Sequence, residues 1–541
     1  MDKFFKSKVE FKKPENPFKD IKLPKKTFIA SIPILALVLF YIMLPPINAH
    51  SYEFWTYFFI VAVYATIILG PMFKVFKKVS IGLIALAVLI AILSLTSLEV
   101  FNAKRYAAIL EKKDGDFEKD IAEIPYSDIP TVDRDTAIRL GSRKMGELLD
   151  LVSQFNIDES YTQINYKGKP IRVTPLEYNG LLKWLSNHTK GIPNYLVIDM
   201  INGDARLETP ADNIRYSKSD LFFRDIRRHM RFKHPTKIFN EINFEVDDEG
   251  TPYWIAATYK NRISWFGAMD VQGAVISNAL TGESKYYPLD EIPTWVDRVY
   301  SASNIIQQLN WDGKYQSGYI NSRFAQKGVL QPTSGYNYLA INDDVYLYTG
   351  ITSVAADESN VGFVLVNLRN KDTTFYRVSS AEEFSAMASA EGEVQEKSYK
   401  STFPILLNIK GKPTYFLSLK DNAGLIKMYA FVDAQKYQDV SIGNTVESAY
   451  RVHLGDKFVV ETDEEINPED ILEKSGTITD IHSVVIDGNT HFYFILEGEE
   501  VVYMTNVKLS EKLPFMNVGD EISFKFKEAG ENAAEVLEIS R

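Results

Sequence analysis

Three long runs without formal charge lie within the first hundred residues. They cover residues 27–44, 54–73 and 79–97, and each is close to the ~20 residues that cross a bilayer as a helix. In lipid the backbone must satisfy its own hydrogen bonds, so each run is expected to be helical. The pattern predicts three transmembrane helices over residues 27–98. A cleaved signal peptide followed by core helices is the alternative, but a charged leader of 26 residues fits that class poorly.

Lysine placement predicts the orientation of these helices. Residues 1–26 hold nine lysines against four acidic residues, and residues 74–78 add three lysines between the second and third runs. The loop between the first and second runs has neither lysine nor arginine. By the positive-inside rule, residues 1–26 form a basic cytoplasmic tail and the chain after the third helix is extracytoplasmic. Four basic residues weigh mildly against this orientation, namely Lys104, Arg105, Lys112 and Lys113.

After residue 130 the apolar positions follow a β-strand pattern that recurs. Each copy has a strand, a short polar turn and a second strand, and most copies have an aromatic strand upstream. Aligning residues 273–289 with 362–378 places Asn278 on Asn367. Residues 195–207 form an earlier copy, and residues 427–440 form a weaker one without the polar turn.

Amphipathic helices are predicted between these strands. Helical spacing of apolar residues covers 133–152 and 293–311, and a further helix is expected to begin at residue 178. Because one face of each sheet is apolar, a helix is the expected covering layer. We therefore expect an α+β fold with three parts: an N-terminal three-helix transmembrane bundle, repeated antiparallel sheet-plus-helix units, and a small C-terminal β-barrel.

Two stretches carry a family resemblance. The helix sequence VDRDTAIRLG and a strand ending in VISNALTGESKYYPL resemble the PepSY group of small bacterial repeats. The whole chain also resembles uncharacterised polytopic bacterial membrane proteins that carry such repeats. The resemblance implies a bacterial cytoplasmic-membrane protein whose repeats bind or restrain another protein.

The C-terminal end has a different pattern and charge. From residue 476 onward, five short strands with regular turns resemble an OB-fold or a similar small barrel. Residues 456–541 contain 7 basic and 20 acidic residues. Because phosphate binding needs a positive groove, this charge argues against nucleic acid as a partner. The aromatic residues there are better explained as barrel core, namely Phe492, Tyr493, Phe494 and Tyr503. The resulting domain boundaries are 1–26 for the tail, 27–98 for the helices, 99–130 for a linker, 131–455 for the PepSY-like repeats and 456–541 for the acidic OB-like barrel.

No motif for catalysis or for a cofactor stands out. The chain of 541 residues has no cysteine, and its seven histidines form neither HExxH nor a metal-ligand set. No phosphate-binding GxxxxGK[ST] loop and no GxSxG elbow is present. The acidic pairs at 247–249 and 343–344 sit where hairpin turns are expected, which favours turn formation over acid–base or calcium chemistry. We therefore predict no catalytic residue, no metal and no cofactor.

One surface feature is a candidate binding site for an anionic partner. Arg224, Arg227, Arg228 and Arg231 recur at the spacing of one helix face. The opposite stripe is apolar and is expected to pack inward, and it consists of Phe223, Ile226 and Met230. Such a face could bind anionic headgroups, an anionic wall polymer or the acidic C-terminal module. The alternative is a solvated face neutralised by nearby carboxylates.

These features together predict a non-enzymatic, membrane-anchored extracytoplasmic binding, scaffold or regulatory protein of the bacterial cell envelope. The partner would be a protein or an anionic envelope polymer, and the oligomeric state is left open. One alternative is a cell-envelope hydrolase whose site is assembled from dispersed carboxylates. The other is a transporter or sensor accessory subunit, which is disfavoured because the apolar runs contain no ionisable residues. A pocket with two carboxylates of different pKa would favour the hydrolase.

Overall fold

The computed structural model describes residues 25–354, 359–455, 471–486, 489–499, 501–510, 512–530 and 533–539. The chain divides into two compact units, and each is treated separately. The first comprises Met1–Thr96 with Pro235–Ile238, and the second comprises Ser97–His234 with Phe239–Arg541. The basic tail predicted at 1–26 falls almost entirely outside the described residues.

The first unit contains three apolar helices, α1 (Lys25–Met43), α2 (Tyr52–Leu69) and α3 (Val75–Thr96). Ser51 begins α2, because its side chain accepts hydrogen bonds from the backbone N–H groups of Glu53 and Phe54. All three helices are long and apolar enough to cross a membrane, and none of their apolar windows is buried. An exposed apolar helix of this length is unstable in water. The prediction of three membrane-spanning helices therefore agrees with the structure, which is consistent with an integral membrane protein.

Ten further helices lie in the described part of the second unit. They are α4 (Glu99–Ala107), α5 (Phe117–Asp120), α6 (Arg134–Gly146), α7 (Leu149–Val152), α8 (Leu181–Asn187), α9 (Ile226–Lys233), α10 (Ala302–Tyr315), α11 (Gly318–Arg323), α12 (Glu383–Glu393) and α13 (Val446–His453).

The helix predicted over 133–152 is in fact two helices. α6 ends at Gly146 and α7 begins at Leu149, and Leu149 is 79% exposed although it fits the apolar spacing. The helix predicted over 293–311 begins only at Ala302, because Ser301 caps it by accepting the Asn304 N–H. Apolar spacing alone therefore placed the end of the first predicted helix and the start of the second wrongly. The start of α10 is decided by its capping residue.

Residues 99–130, expected to be a linker, are folded into the second unit. The short strand β1 (Lys113–Gly115) pairs in parallel with residues 374–376. Tyr106 and Phe117 on either side are buried. These apolar contacts were missed because the segment is short and mixes charged with aromatic residues.

Four sheets make up most of the second unit among the described residues, and each is built on a four-stranded antiparallel meander. Every strand of a meander pairs with the next one along the chain, which is the strand order of a β-propeller blade. The first sheet consists of β2 (Phe155–Ile157), β3 (Thr162–Tyr166), β4 (Lys169–Tyr178), β5 (Tyr195–Asp199) and β6 (Ala205–Glu208). The second sheet consists of β7 (Asn243–Val246), β8 (Pro252–Ile263), β9 (Gly267–Asn278) and β10 (Ser284–Pro288).

The third and fourth sheets have the same plan with short added strands. The third sheet consists of β1 together with β11 (Leu330–Pro332), β12 (Asn337–Ile341), β13 (Asp344–Ser353), β14 (Ser359–Asn367), β15 (Thr373–Tyr376) and β16 (Ser380–Ala381). The fourth sheet consists of β17 (Lys400–Ser401), β18 (Ile405–Ile409), β19 (Lys412–Lys420), β20 (Ile426–Asp433) and β21 (Val440–Gly443). The mixed α+β class and the repeated antiparallel sheets are therefore as predicted. One buried cluster, which includes Trp254, joins the first and second sheets. Another, which includes Phe416, joins the third and fourth.

The last turn of every meander is held by one side chain at the same position. Asp199, Asn278, Asn367 and Asp433 each end the third strand of their meander. The Oδ1 atom of each accepts hydrogen bonds of 2.8–3.2 Å from the backbone N–H groups two and three residues later. This shared turn explains why Asn278 aligns with Asn367. Residues 427–440, expected to lack the turn, form it with Asp433.

The C-terminal region contains five more strands, β22 (Leu472–Ile486), β23 (Asn489–Leu496), β24 (Val502–Asn506), β25 (Glu521–Gly530) and β26 (Ala533–Ile539). Their pairing runs β22-β23-β24-β26-β25 and returns from β25 to β22. Phe494, Tyr503 and Phe524 are each 1% exposed or less. These aromatic side chains therefore form core rather than an exposed stacking platform. The OB-like assignment itself stays a prediction.

Candidate functional site

A cavity of about 450 Å³ lies within the second unit, beside the first strands of the meanders. Residues on β3, β7 and β12 contribute to its wall, together with the start of α6 and a residue just before β18. Its lining residues are Asp133, Arg134, Asp135, Ser160, Tyr161, Thr162, Arg172, Asn243, Arg298, Tyr336, Asn337, Tyr338 and Phe403. The volume is within the ~300–1,000 Å³ range of small-molecule sites. The wall combines three guanidinium groups with four aromatic rings.

Arg172 is the most deeply placed charge in this wall. It projects from the middle of β4 and is only 6% exposed. Its Nη1 donates to the Tyr161 carbonyl at 3.3 Å and its Nη2 to Gln163 Oε1 at 3.2 Å. Burial is the main cause that lowers the pKa of Arg172 to about 10; Asp133 opposes it, and the neighbouring Arg298 and Arg134 add to it. Arg298 and Arg134 are therefore close enough to Arg172 to repel its charge.

Arg298 forms the opposite part of the same wall. Its Nη2 donates to Tyr338 Oη at 2.8 Å, and its guanidinium lies 4.1 Å from the centre of the Tyr338 ring. Arg134 donates to the Glu159 carbonyl. Among the ion pairs of the described residues, none joins Arg134, Arg172 or Arg298 to a carboxylate.

The two carboxylates in the wall form no ion pair with these arginines, although the charge of Asp133 acts on Arg172 at longer range. Asp133 pairs with Lys420 at 2.7 Å and caps α6 by accepting the Thr136 N–H at 3.0 Å. Burial would raise the pKa of Asp133, but the bonds from Lys420 and Thr136 outweigh burial and lower it. Asp135 is exposed to solvent. The cavity wall therefore carries an excess of positive charge.

A pair of buried carboxylates lies near the cavity but outside its wall. Glu245 on β7 and Asp297 are 0% and 1% exposed. Glu245 accepts the backbone N–H groups of Asp297 and Arg298 at 2.9 and 3.1 Å, and Asp297 accepts the Asn165 N–H at 2.6 Å. Burial raises the pKa of Glu245 to about 7, and burial together with the Glu245 charge raises the pKa of Asp297 to about 8. These are dispersed carboxylates of the kind expected for a hydrolase, but neither reaches the cavity.

The arginine face predicted at residues 224–231 is not a single helical surface. α9 begins at Ile226, so Arg224 lies in a preceding turn, where it donates to the His188 carbonyl at 2.6 Å. Arg231 is 4% exposed and stacks on Phe239 at 4.1 Å. Arg228 is half-buried and donates to the Phe222 carbonyl at 2.7 Å. Of the four, only Arg227 is exposed. Arg231 is buried because it lies on the face of α9 that packs against the core.

Exposed apolar side chains surround this segment. Phe223, expected to pack inward, is 69% exposed, and Phe222 is 60% exposed. Leu182 on the nearby helix α8 is 76% exposed, and the Trp184 and Phe222 rings are 6.0 Å apart. Exposed aromatic side chains beside arginines are typical of surfaces that contact a lipid interface.

Sequence reasoning missed Arg172 and Arg298, which belong to no motif. One signal for Arg172 was available, because it stands inside the apolar strand sequence IRVTPLEY. A charged residue in the middle of a buried strand has a specific partner or a function. No group of three or more histidine or acidic side chains that could hold a metal occurs in the described ranges.

Comparisons with known proteins do not identify a family. No family model and no curated protein matches the chain. Among solved structures, a levansucrase complexed with sucrose is 9% identical with a TM-score of 0.17, covering 78% of this chain and 98% of its own. Bacillus subtilis levansucrase is 10% identical with a TM-score of 0.16, covering 78% of this chain and 98% of its own. Trypanosoma rangeli sialidase is 10% identical with a TM-score of 0.14, covering 71% of this chain and 53% of its own. Similarity at this level carries no argument about function.

Proposed function

We propose that this chain is a membrane-anchored, extracytoplasmic binding or scaffold protein of the bacterial cell envelope, without enzymatic activity. The observation that supports it most is the joining of three apolar helices to a large folded unit with an arginine-lined cavity. A cavity whose wall has uncompensated positive charge and aromatic rings suits binding better than acid–base catalysis.

The extracytoplasmic location rests on lysine placement. Lysines precede the first apolar run and lie between the second and third runs. The loop between the first two runs has none. Protease treatment of spheroplasts and of inverted vesicles tests this. Digestion of residues 99–541 in spheroplasts alone would support the proposal, and digestion in inverted vesicles alone would overturn it.

PepSY-like repeats and an OB-like C-terminal barrel remain part of this proposal. The four meanders with a shared Asx turn support a repeated unit. The ring of strand pairings in the C-terminal region supports a small barrel. A repeated unit with a helix alongside is suited to restraining a protein partner, as the resemblance implies.

The second candidate function is a hydrolase that uses Glu245 and Asp297. Their raised pKa values are what an acid catalyst needs. Their burial stands against this function, because a catalytic acid must reach its substrate within hydrogen-bond distance. A hydrolytic activity on envelope polysaccharide that is lost in Glu245→Gln and in Asp297→Asn, with the fold intact, would establish this candidate instead.

The exposed surface around Arg227 is proposed to contact anionic lipid headgroups. Phe222, Phe223 and Leu182 would enter the interface while Arg227 and Arg228 face the headgroups. Arg231 is excluded from this surface by its burial. An anionic wall polymer and the acidic C-terminal module are the other anionic partners that this surface could bind.

A further inference from the structure

Two arginines of the cavity wall have a hydrogen-bond donor that the protein itself leaves unused. Among the described residues, Arg172 Nε and Arg298 Nε are buried and have no hydrogen-bond partner. Both residues line the cavity. A buried donor without an acceptor costs stability. Water or a ligand in the cavity would supply the missing acceptor atoms.

The charge of the wall narrows the chemistry of that partner. A buried guanidinium without a paired carboxylate is strongly unfavourable, and Arg298 and Arg134 lower the pKa of the buried Arg172. Asp133 is already paired with Lys420. A ligand that brings its own negative charge would relieve both the repulsion and the unmade hydrogen bonds. Arginine forks are also the protein groups best matched to planar carboxylates and to phosphates.

We propose that this cavity binds a small ligand through an oxyanion, a phosphate monoester or a carboxylate, held by Arg172 and Arg298. The polar body of the ligand lies against the Tyr336 and Tyr338 rings, which are 5.6 Å apart at the outer part of the wall. This inference rests on the proposed binding role and names the ligand class of its site. The small volume excludes a folded protein domain from the cavity.

Binding is measured by calorimetry on the full chain in detergent. The probes are inorganic phosphate, glycerol 3-phosphate and glucuronate, with glucose as the neutral control. We expect at least one oxyanion probe to bind, with affinity that falls as salt rises, and glucose not to bind. Comparing the phosphate probes with glucuronate shows whether the negative charge of the ligand belongs to a phosphate or to a carboxylate.

Two variants and one control locate the binding. Arg298→Gln should weaken the binding of the oxyanion about tenfold or more, because it removes a charge-assisted hydrogen bond. Tyr338→Phe removes the hydroxyl group that accepts from Arg298 Nη2 at 2.8 Å and should weaken binding severalfold with the melting temperature retained. Arg143→Gln, at an exposed arginine outside the cavity, should bind as the parent does. Tyr338→Phe keeps the test decisive if the arginine variant fails to fold.

Three results would overturn the oxyanion site. They are binding of glucose equal to that of glucuronate, unchanged affinity in both cavity variants, or no binding by any charged probe. Each of these leaves the protease result on location unaffected, so failure of the oxyanion site is distinguishable from failure of the proposed function.

Discussion

The buried carboxylates predict a measurable pH dependence of stability. Asp297 has a usual pKa of 3.8, which rises to about 8 in the folded protein because of burial and the neighbouring Glu245 charge. The other charged groups that affect it are Arg369, which lowers its pKa, and Asp343, which raises it. Between these two pKa values the folded chain holds a proton that the unfolded chain has lost. Stability therefore decreases as pH rises through this window.

The magnitude follows from proton linkage. One proton retained in the folded state changes the free energy of unfolding by about 1.4 kcal/mol per pH unit. From pH 5 to pH 8 this gives an upper limit of about 4 kcal/mol for one carboxyl group. Asp297→Asn removes this titration while keeping an oxygen for the Asn165 N–H. Glu245→Gln is less suitable, because Glu245 accepts two backbone N–H groups with its two oxygens.

Melting temperatures of the detergent-solubilised full chain, followed by tryptophan fluorescence at several pH values, provide the assay. Asp297→Asn should melt near the parent at pH 5 and several degrees higher at pH 8. Asp290→Asn serves as the control, because Asp290 is an exposed carboxyl group in the same connecting segment. Parallel pH curves for parent and Asp297→Asn would refute the reasoning, because they would show that this carboxyl group titrates alike in both states.

Three further predictions concern a turn, a core arginine and the exposed arginine surface. Gly282→Ala should destabilise the fold by about 2–3 kcal/mol, because the residue has φ +76° and a Cβ would lie 2.3 Å from Tyr216; thermal unfolding measures this. Arg231→Gln should lower the melting temperature by several degrees, since its guanidinium packs on an aromatic ring in the core, whereas Arg227→Gln should leave it unchanged. Arg227→Glu combined with Arg228→Glu should weaken flotation of the protein, reconstituted in nanodiscs, with anionic liposomes at low salt.

Controls and contrary results for these variants are equally specific. Gly168→Ala has a similar φ of +78° but open space at the Cβ position, so it should cost only about 1 kcal/mol. Equal losses at Gly168 and Gly282 would show that the tyrosine contact is unimportant. An Arg231→Gln protein as stable as Arg227→Gln would contradict the burial of that arginine. Unchanged flotation after the double charge reversal would mean that the arginine surface is ordinary solvated surface.

Local sequence signals were sufficient for the helices and hairpins. An apolar run of about 20 residues has few alternatives to a membrane-spanning helix, and all three runs are helical. The strand pattern and the aligned Asn278 and Asn367 predicted hairpins, because an Asx residue at a strand end holds a turn by itself. Asp433 was overlooked because its turn sequence, DAQK, begins with Asp and not with the Asn that the two aligned copies share.

Signals that depend on tertiary contacts were missed. The cavity draws Arg172, Arg298 and Tyr338 from three separated parts of the chain, and no spacing rule connects them. Arg231 fitted a helical stripe of arginines, but only the packing of α9 shows that it stacks on Phe239. The segment 99–130 was taken as a linker because its strand pairs with residues 374–376, far away in sequence.

The most direct test of the account is the side of the membrane on which the second unit lies. The chain has no cysteine, so single substitutions at the exposed residues Ser153 and Lys74 report location without a background signal. In spheroplasts, a membrane-impermeant maleimide should label Ser153→Cys at once and Lys74→Cys only after permeabilisation. Labelling of Lys74→Cys in intact spheroplasts, with Ser153→Cys protected, would contradict an extracytoplasmic binding role.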